Sequence, residues 1–229
     1  MWWRSIYERA GGRVLADALR RETPGSVTGD ETVALSDDDV RKLLRGALAV
    51  RTYPELAHAA SLDDVLVDGR CALLYLVTSD RSGHWTGVLR TPAGVEYFDS
   101  YGHAPDEPLS WMTPEKAAAL HESQRELTRL LKGAAGGADG APVVYNRRAF
   151  QSRTNHSMAT CGRHVACRLM CNDMTLPQYA AMLASTGMDA DEFVTRVTDA
   201  GLGVSGGGRP PPDARRPRGG TVYDVSACV

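Results

Sequence analysis

The 229-residue sequence contains no stretch approaching the ~18 uninterrupted apolar residues that a membrane-spanning helix needs. Its first residues, Met1-Trp2-Trp3-Arg4-Ser5-Ile6-Tyr7-Glu8-Arg9, lack the apolar run of a secretory signal. Charge of one sign is also missing. Twenty-six Lys and Arg stand against 28 Asp and Glu, a net charge of −2, so nothing global argues for nucleic acid as the main partner. The five cysteines are odd in number and follow no regular framework, which suits free thiols in a reducing compartment better than a secreted disulfide scaffold. No internal repeat is found. These absences describe a soluble chain that is intracellular, or packaged in something made inside a cell. What is there, 43% hydrophobic and 24% charged residues, is the composition of an ordinary globular domain. A chain of this length can bury its core without a metal or a disulfide.

The pattern divides the chain into three parts: an N-terminal helical region over 1–69, a core over 70–200, and a disordered tail over 201–229. In the first part, Val14, Leu15, Ala18 and Leu19 fall at helical spacing and Thr23-Pro24-Gly25 ends the run. Ser36 followed by Asp37-Asp38-Asp39 reads as an N-cap with acidic residues at the positive end of a helix carrying Val40, Leu43, Leu44, Ala47 and Leu48. Residues 53–66 read as short helical turns. Cys71 to Val77, Trp85 to Leu89 and Val95 to Phe98 then form a three-strand meander, with turns at 80–83 and 91–94. A helix is expected over 114–132, started by Pro114, then an Ala/Gly loop to Gly140 and a short strand at Val143-Val144-Tyr145. Helices follow at 161–171, 177–186 and 189–200. Beyond Gly201 the Gly, Pro and Arg-rich composition cannot bury enough surface to fold.

Four residues inside this core carry chemistry. Cys161 opens an amphipathic helix, where the positive end of the helix dipole favours a thiolate; Gly162 beside it permits close backbone approach. The plain alternative is a buried structural cysteine. His84 stands at the start of one strand and Asp99 at the end of the next, and a return through a four-residue turn brings the two together. An aspartate there can fix the tautomer of an imidazole and stabilise its charged form. Gln151, ten residues before the cysteine, can donate to a developing oxyanion together with the Cys161 N–H; Asn155 could do the same work. Cys161, His164, Cys167 and Cys171 also suggest zinc-ligand spacing. On one helix, however, Cys161 and Cys171 would lie about 15 Å apart along the axis and could not share an ion. Cys167 and Cys171 are then core thiols.

The frames Gly83-His84-Trp85, Phe98-Asp99-Ser100-Tyr101-Gly102, Gln151 and Thr160-Cys161-Gly162-Arg163-His164 together resemble the ubiquitin-like-protein protease and adenovirus-protease superfamily of cysteine peptidases, over roughly residues 70–185. Arg163-His164, with Tyr145-Asn146 upstream, looks most like the adenain-like versions found in large DNA viruses, which resemble virion-maturation proteases. The order His, Asp, Gln, Cys differs from papain-type enzymes, where Cys precedes His, and the frames differ from those of caspases. The resemblance implies an α+β papain-like fold with a small mixed or antiparallel sheet flanked by helices. It implies a cysteine endopeptidase with Cys161, His84, Asp99 and Gln151 as catalytic residues, and no cofactor or metal. Trp85 and Gly162 would bind substrate, Trp85 by shielding the His84 pair and narrowing the cleft for small residues such as Gly-Gly. The expected partner is a protein substrate, either a viral polyprotein or a ubiquitin-like conjugate, met by a monomer in the host cytoplasm, nucleus or virion. A catalytically silent module that grips a Gly-Gly tail is the alternative of a different class.

Overall fold

Strand β2 (Arg70–Ser79) explains why the sheet sits at the centre of the molecule. Its apolar run serves two cores in alternation: Ala72, Leu74 and Leu76 face one, Cys71, Leu73, Tyr75 and Val77 the other. A strand covered on both faces must read as a continuous hydrophobic stretch, because successive side chains project to opposite sides. The computed structural model describes residues 30–44, 48–79, 82–137, 140–153 and 158–203. The helix expected around Val14, Leu15, Ala18 and Leu19, and the tail from 204 onward, lie outside the described residues.

The sheet has five strands in the order β1-β2-β3-β4-β5. The expected meander is present as β2, β3 (Ser82–Thr91) and β4 (Gly94–Asp99), paired antiparallel. Strand β5 (Val143–Tyr145) adds to β4 in parallel. On the other edge, β1 (Ala49–Thr52) pairs in parallel with β2. The stretch read as helical up to residue 69 thus contributes a strand to the sheet. Its four residues carry no clear alternation, and only pairing with β2 gives them their structure. The architecture is mixed α/β, with helices on both faces of a mixed sheet.

One face of the sheet is covered by α1 (Asp37–Leu43), α4 (Cys161–Met170), α5 (Leu176–Ser185) and α6 (Ala190–Leu202). Ser36 caps α1 as expected, in a reciprocal capping box with Asp39. The other face is covered by α3 (Glu126–Gly136) and by short 3-10 helices at Tyr53–His58 and Leu62–Asp64. The single helix expected over 114–132 is instead two, α2 (Pro114–Ala119) and α3. The break has a local cause. His121 takes a left-handed backbone (φ 58°), and the amides of Glu122 and His121 bond back to the Ala117 and Ala118 carbonyls, closing the helix end in a Schellman arrangement. The buried Glu122 carboxylate then accepts from the Leu76 amide of β2 at 2.7 Å.

Helix α4 is fixed to the sheet by a buried ion pair. The Arg168 guanidinium donates two hydrogen bonds of 2.7 Å to the two oxygens of Glu96 on β4, and further bonds to the Cys171 and Met174 carbonyls. Both charged side chains are fully buried. Breaking such a pair leaves an uncompensated charge in the core, at a cost of about 3–5 kcal/mol. The pair therefore specifies where along the sheet α4, and Cys161 at its start, must lie.

Candidate functional site

The register of β3 on β4 sets the first contact of the site. Thr86 lies opposite Asp99, so His84, two residues before Thr86 on the same side of the strand, is the diagonal neighbour of Asp99. The His84 Nε2 and the Asp99 Oδ2 are 2.9 Å apart, and both side chains have no solvent exposure. Burial alone would raise the Asp99 carboxyl. The His84 charge and hydrogen bond, the charge of His103 and the Tyr101 amide outweigh it and hold the group below the ordinary carboxylate value. With Nε2 engaged by an ionised Asp99, proton exchange with a nucleophile passes through Nδ1.

The backbone of Asp99 is held as firmly as its side chain. The Asn146 amide accepts from the Asp99 N–H at 2.9 Å and donates to the Asp99 carbonyl and to the Arg148 carbonyl. This two-point grip is the structural content of the Tyr145-Asn146 frame. Asp99 also accepts from the Tyr101 amide at 2.7 Å, which closes the turn that leads to Gly102. Gly102 has φ 78°, and a Cβ there would lie 2.8 Å from the Arg148 carbonyl carbon, so only glycine fits.

Gln151 is tied to the residue next to Asp99. The Ser100 hydroxyl donates to Gln151 Oε1 at 2.7 Å, and the Phe150 and Gln151 amides both donate to the Ser100 carbonyl. Fixing the amide oxygen as an acceptor assigns the remaining capacity of the Gln151 side chain to its N–H donors. Asn155 lies outside the described residues.

Cys161 is the first residue of α4 and is buried. Thr160 before it is a residue type that commonly caps helices, yet it makes no side-chain cap bond. Its hydroxyl donates instead to Asp191 Oδ1. Gly162 packs against the chain that carries His84. A Cβ at 162 would lie 2.9 Å from Trp85 Cδ1 and 3.3 Å from Leu35 Cβ. The neighbours of His84 and of Cys161 thus touch, which draws the start of β3 and the start of α4 to one corner of the molecule.

Trp85 itself is not over the His84–Asp99 pair as expected. It is fully buried in the core between sheet and helices, its indole N–H donating to the Leu35 carbonyl at 3.2 Å. Alternation along β3 explains this, since residues 84 and 85 project to opposite faces. Among the described residues, His84 meets the rings of Tyr101, stacked at 5.3 Å, and of Trp111, tilted at 5.2 Å. Trp111 ends a 3-10 helix at Glu107–Trp111 and is 38% exposed. His103 lies against Trp111 at 5.2 Å, with its Nδ1 2.8 Å from Glu107 Oε1. No periodicity marks Trp111, because it reaches the site from an irregular segment.

A second histidine–aspartate pair lies behind the cysteine. His164 Nε2 is 2.9 Å from Asp191 Oδ1, and both side chains are buried. Cys167 and Cys171 lie in the core, and burial pushes the Cys171 thiol up to about 12 and that of Cys167 well above its ordinary value. Among the described residues no group of three or more His, Cys, Asp or Glu side chains is placed to hold a metal ion. No helix among them is long and apolar enough to cross a membrane.

No family model matches the sequence. The chain is similar to the uncharacterized protein V9 of the Sputnik virophage, with 29% identity over 174 residues that cover 73% of this chain and 95% of V9. That likeness points to a viral protein.

Proposed function

We propose that the chain is a papain-like cysteine endopeptidase of the adenovirus-protease type that acts in viral polyprotein or virion maturation. The observation that carries the reading is the buried His84–Asp99 pair at 2.9 Å, with the Gln151 amide anchored through Ser100 to the residue following Asp99. A buried imidazole with one nitrogen on an ionised carboxylate is an oriented base, and an amide held by its oxygen is an oriented donor. The similarity to a virophage protein favours the viral setting.

In this reaction the Cys161 Sγ gives its proton to His84 Nδ1 and attacks the scissile carbonyl carbon. The carbonyl oxygen gains negative charge and is held by the Gln151 side-chain N–H and the Cys161 N–H. Collapse breaks the C–N bond, and His84 returns the proton to the leaving amine. Water, deprotonated by His84, then hydrolyses the thioester and frees the thiol. Asp99 stabilises the imidazolium at each stage. The resemblance to the superfamily supplies the preference for small residues such as Gly-Gly before the scissile bond.

The test is hydrolysis of peptides and ubiquitin-like fusions carrying Gly-Gly before the cleavage point, by the full chain and by Cys161→Ala. Turnover by the wild type that disappears in Cys161→Ala is expected. Equal absence of cleavage and of His84-dependent labelling of Cys161 by a small electrophile would leave the silent Gly-Gly-binding module as the better reading.

A further inference from the structure

The motif residues are joined by short steps that run through their sequence neighbours Ser100, Ser152 and Thr160 and through Asp191. Ser100, after Asp99, bonds Gln151; Ser152, after Gln151, donates its amide to Asp191 Oδ2 at 2.8 Å; and Thr160, before Cys161, donates its hydroxyl to Asp191 Oδ1. His164, one turn into α4, takes the same Oδ1. A single carboxylate therefore joins the oxyanion loop, the residue before the nucleophile and the body of the nucleophile helix.

We infer that Asp191 is a positioning residue for catalysis, a clamp that sets the Gln151 loop against the start of α4 and draws the Thr160 hydroxyl away from that helix end. The inference rests on the peptidase reading. Its physical case is twofold. First, Thr160 has the side chain of a cap and does not cap, and the group that diverts it is Asp191. Held this way, the Thr160 hydroxyl fixes the residue whose peptide bond carries the Cys161 N–H, the backbone donor of the peptidase reading, instead of capping the Gly162 or Arg163 amide. Second, the clamp is itself fixed. Asp191 sits in the first turn of α6, its amide accepted by the Asp189 carboxylate at 2.9 Å, and His164 sets the rotation of its carboxyl group. The positive end of α6 further stabilises the ionised form. Glu31, Asp189 and Glu192 are the acidic neighbours of this corner, and Arg163 is the basic one.

Such a role differs from holding the fold together, because its loss would separate catalysis from binding. In the full chain, Asp191→Ala and Thr160→Val are compared with wild type in two assays. One is the alkylation rate of Cys161 by iodoacetamide; the other is kcat and KM on a Gly-Gly peptide. Both variants are expected to lose ten-fold or more in kcat, with KM within two-fold and near-UV circular dichroism unchanged. Asp191→Asn keeps one oxygen for Thr160 and His164 but turns an NH2 toward the Ser152 amide donor, so it is expected to lose kcat as Asp191→Ala does. Unchanged kcat and alkylation in Thr160→Val overturn the inference, even if Asp191→Ala fails to fold. So does a loss in all three variants that simply follows their thermal stability. A wild-type Cys161 no more reactive than free cysteine, and indifferent to His84→Ala, overturns the peptidase reading and the clamp with it. A reactive wild type with unaffected Asp191→Ala and Thr160→Val overturns the clamp alone.

Discussion

At the residue scale, one side chain of the site acts through another. Gln151 is anchored by its oxygen to Ser100, so its donors are directed by a single hydroxyl. Replacing Gln151 with Ala is expected to lower kcat by on the order of 10²–10³ with little change in KM, as for loss of one oxyanion donor. Near-normal steady-state kinetics in that variant would move the role to Asn155. Ser100→Ala removes the anchor but not the donor. One hydrogen bond of about 1–1.5 kcal/mol corresponds to a roughly ten-fold fall in kcat, measurable in the same assay. The cysteines separate on the same scale. Burial pushes Cys71 and Cys171 up to about 12 and Cys167 well above its ordinary value, so all three are neutral thiols at pH 8. Peptide mapping after brief iodoacetamide treatment at that pH is expected to find Cys161 modified and these three intact; comparable labelling of Cys167 would contradict the burial argument.

At the element scale, the close approach of Gly162 to Trp85 seats α4 on the sheet. A methyl group at 162 would sit 2.9 Å from Trp85 Cδ1, and the indole is enclosed on every side. Gly162→Ala is expected to destabilise the protein by about 1–3 kcal/mol through overpacking, seen as a lower midpoint in denaturant titration. A variant as stable as wild type would mean that helix and sheet slide freely. Much at this scale was legible in the sequence. The meander, the helix from Cys161 and the meeting of His84 with Asp99 follow from alternation, turn residues and strand length, which are local rules. What escaped was set by distant partners. Strand β1 exists through pairing with β2, and the end of α2 uses a left-handed histidine where glycine is the usual signal. Ser100 lay within a motif already noted, but its partner is 51 residues away. Alternation along β3 puts Trp85 in the core on the face opposite His84, where its indole bonds Leu35, a partner 50 residues away. Nothing local pointed to Asp191, whose importance comes from three contacts with residues far earlier in the chain.

At the scale of the whole molecule, Glu122 makes stability depend on pH. Burial raises its carboxyl to about 7, against an ordinary value of 4.5, while the Leu76 amide pulls the other way. Between those values the folded protein binds more protons than the unfolded chain, so stability falls as pH rises from about 4.5 to 7 and levels off above. The full effect is on the order of 3 kcal/mol. Asp99 and Asp191 act with opposite sign and in another window. Their carboxyls are held below 3.8, so their contribution is present above that pH and is lost on further acidification. From these three groups, maximum stability is therefore expected near pH 4. Urea titrations of wild type and Glu122→Gln at pH 5 and pH 8 check this: the variant is expected to show a much smaller difference between the two pH values. An equal difference in both proteins would assign the dependence elsewhere.

The link through Asp191 also bears on when the protein could first become active. The sheet residues His84 and Asp99 leave the ribosome well before α6, and domains form from the N-terminal side as synthesis proceeds. A nascent chain ending short of Asp191 holds His84 and Asp99 but lacks the two bonds that join the Thr160–Cys161 corner to Ser152 beside Gln151. On the peptidase reading, competence to cut would then arrive only once α6 has been made, which would spare a growing polypeptide carrying this domain until that point.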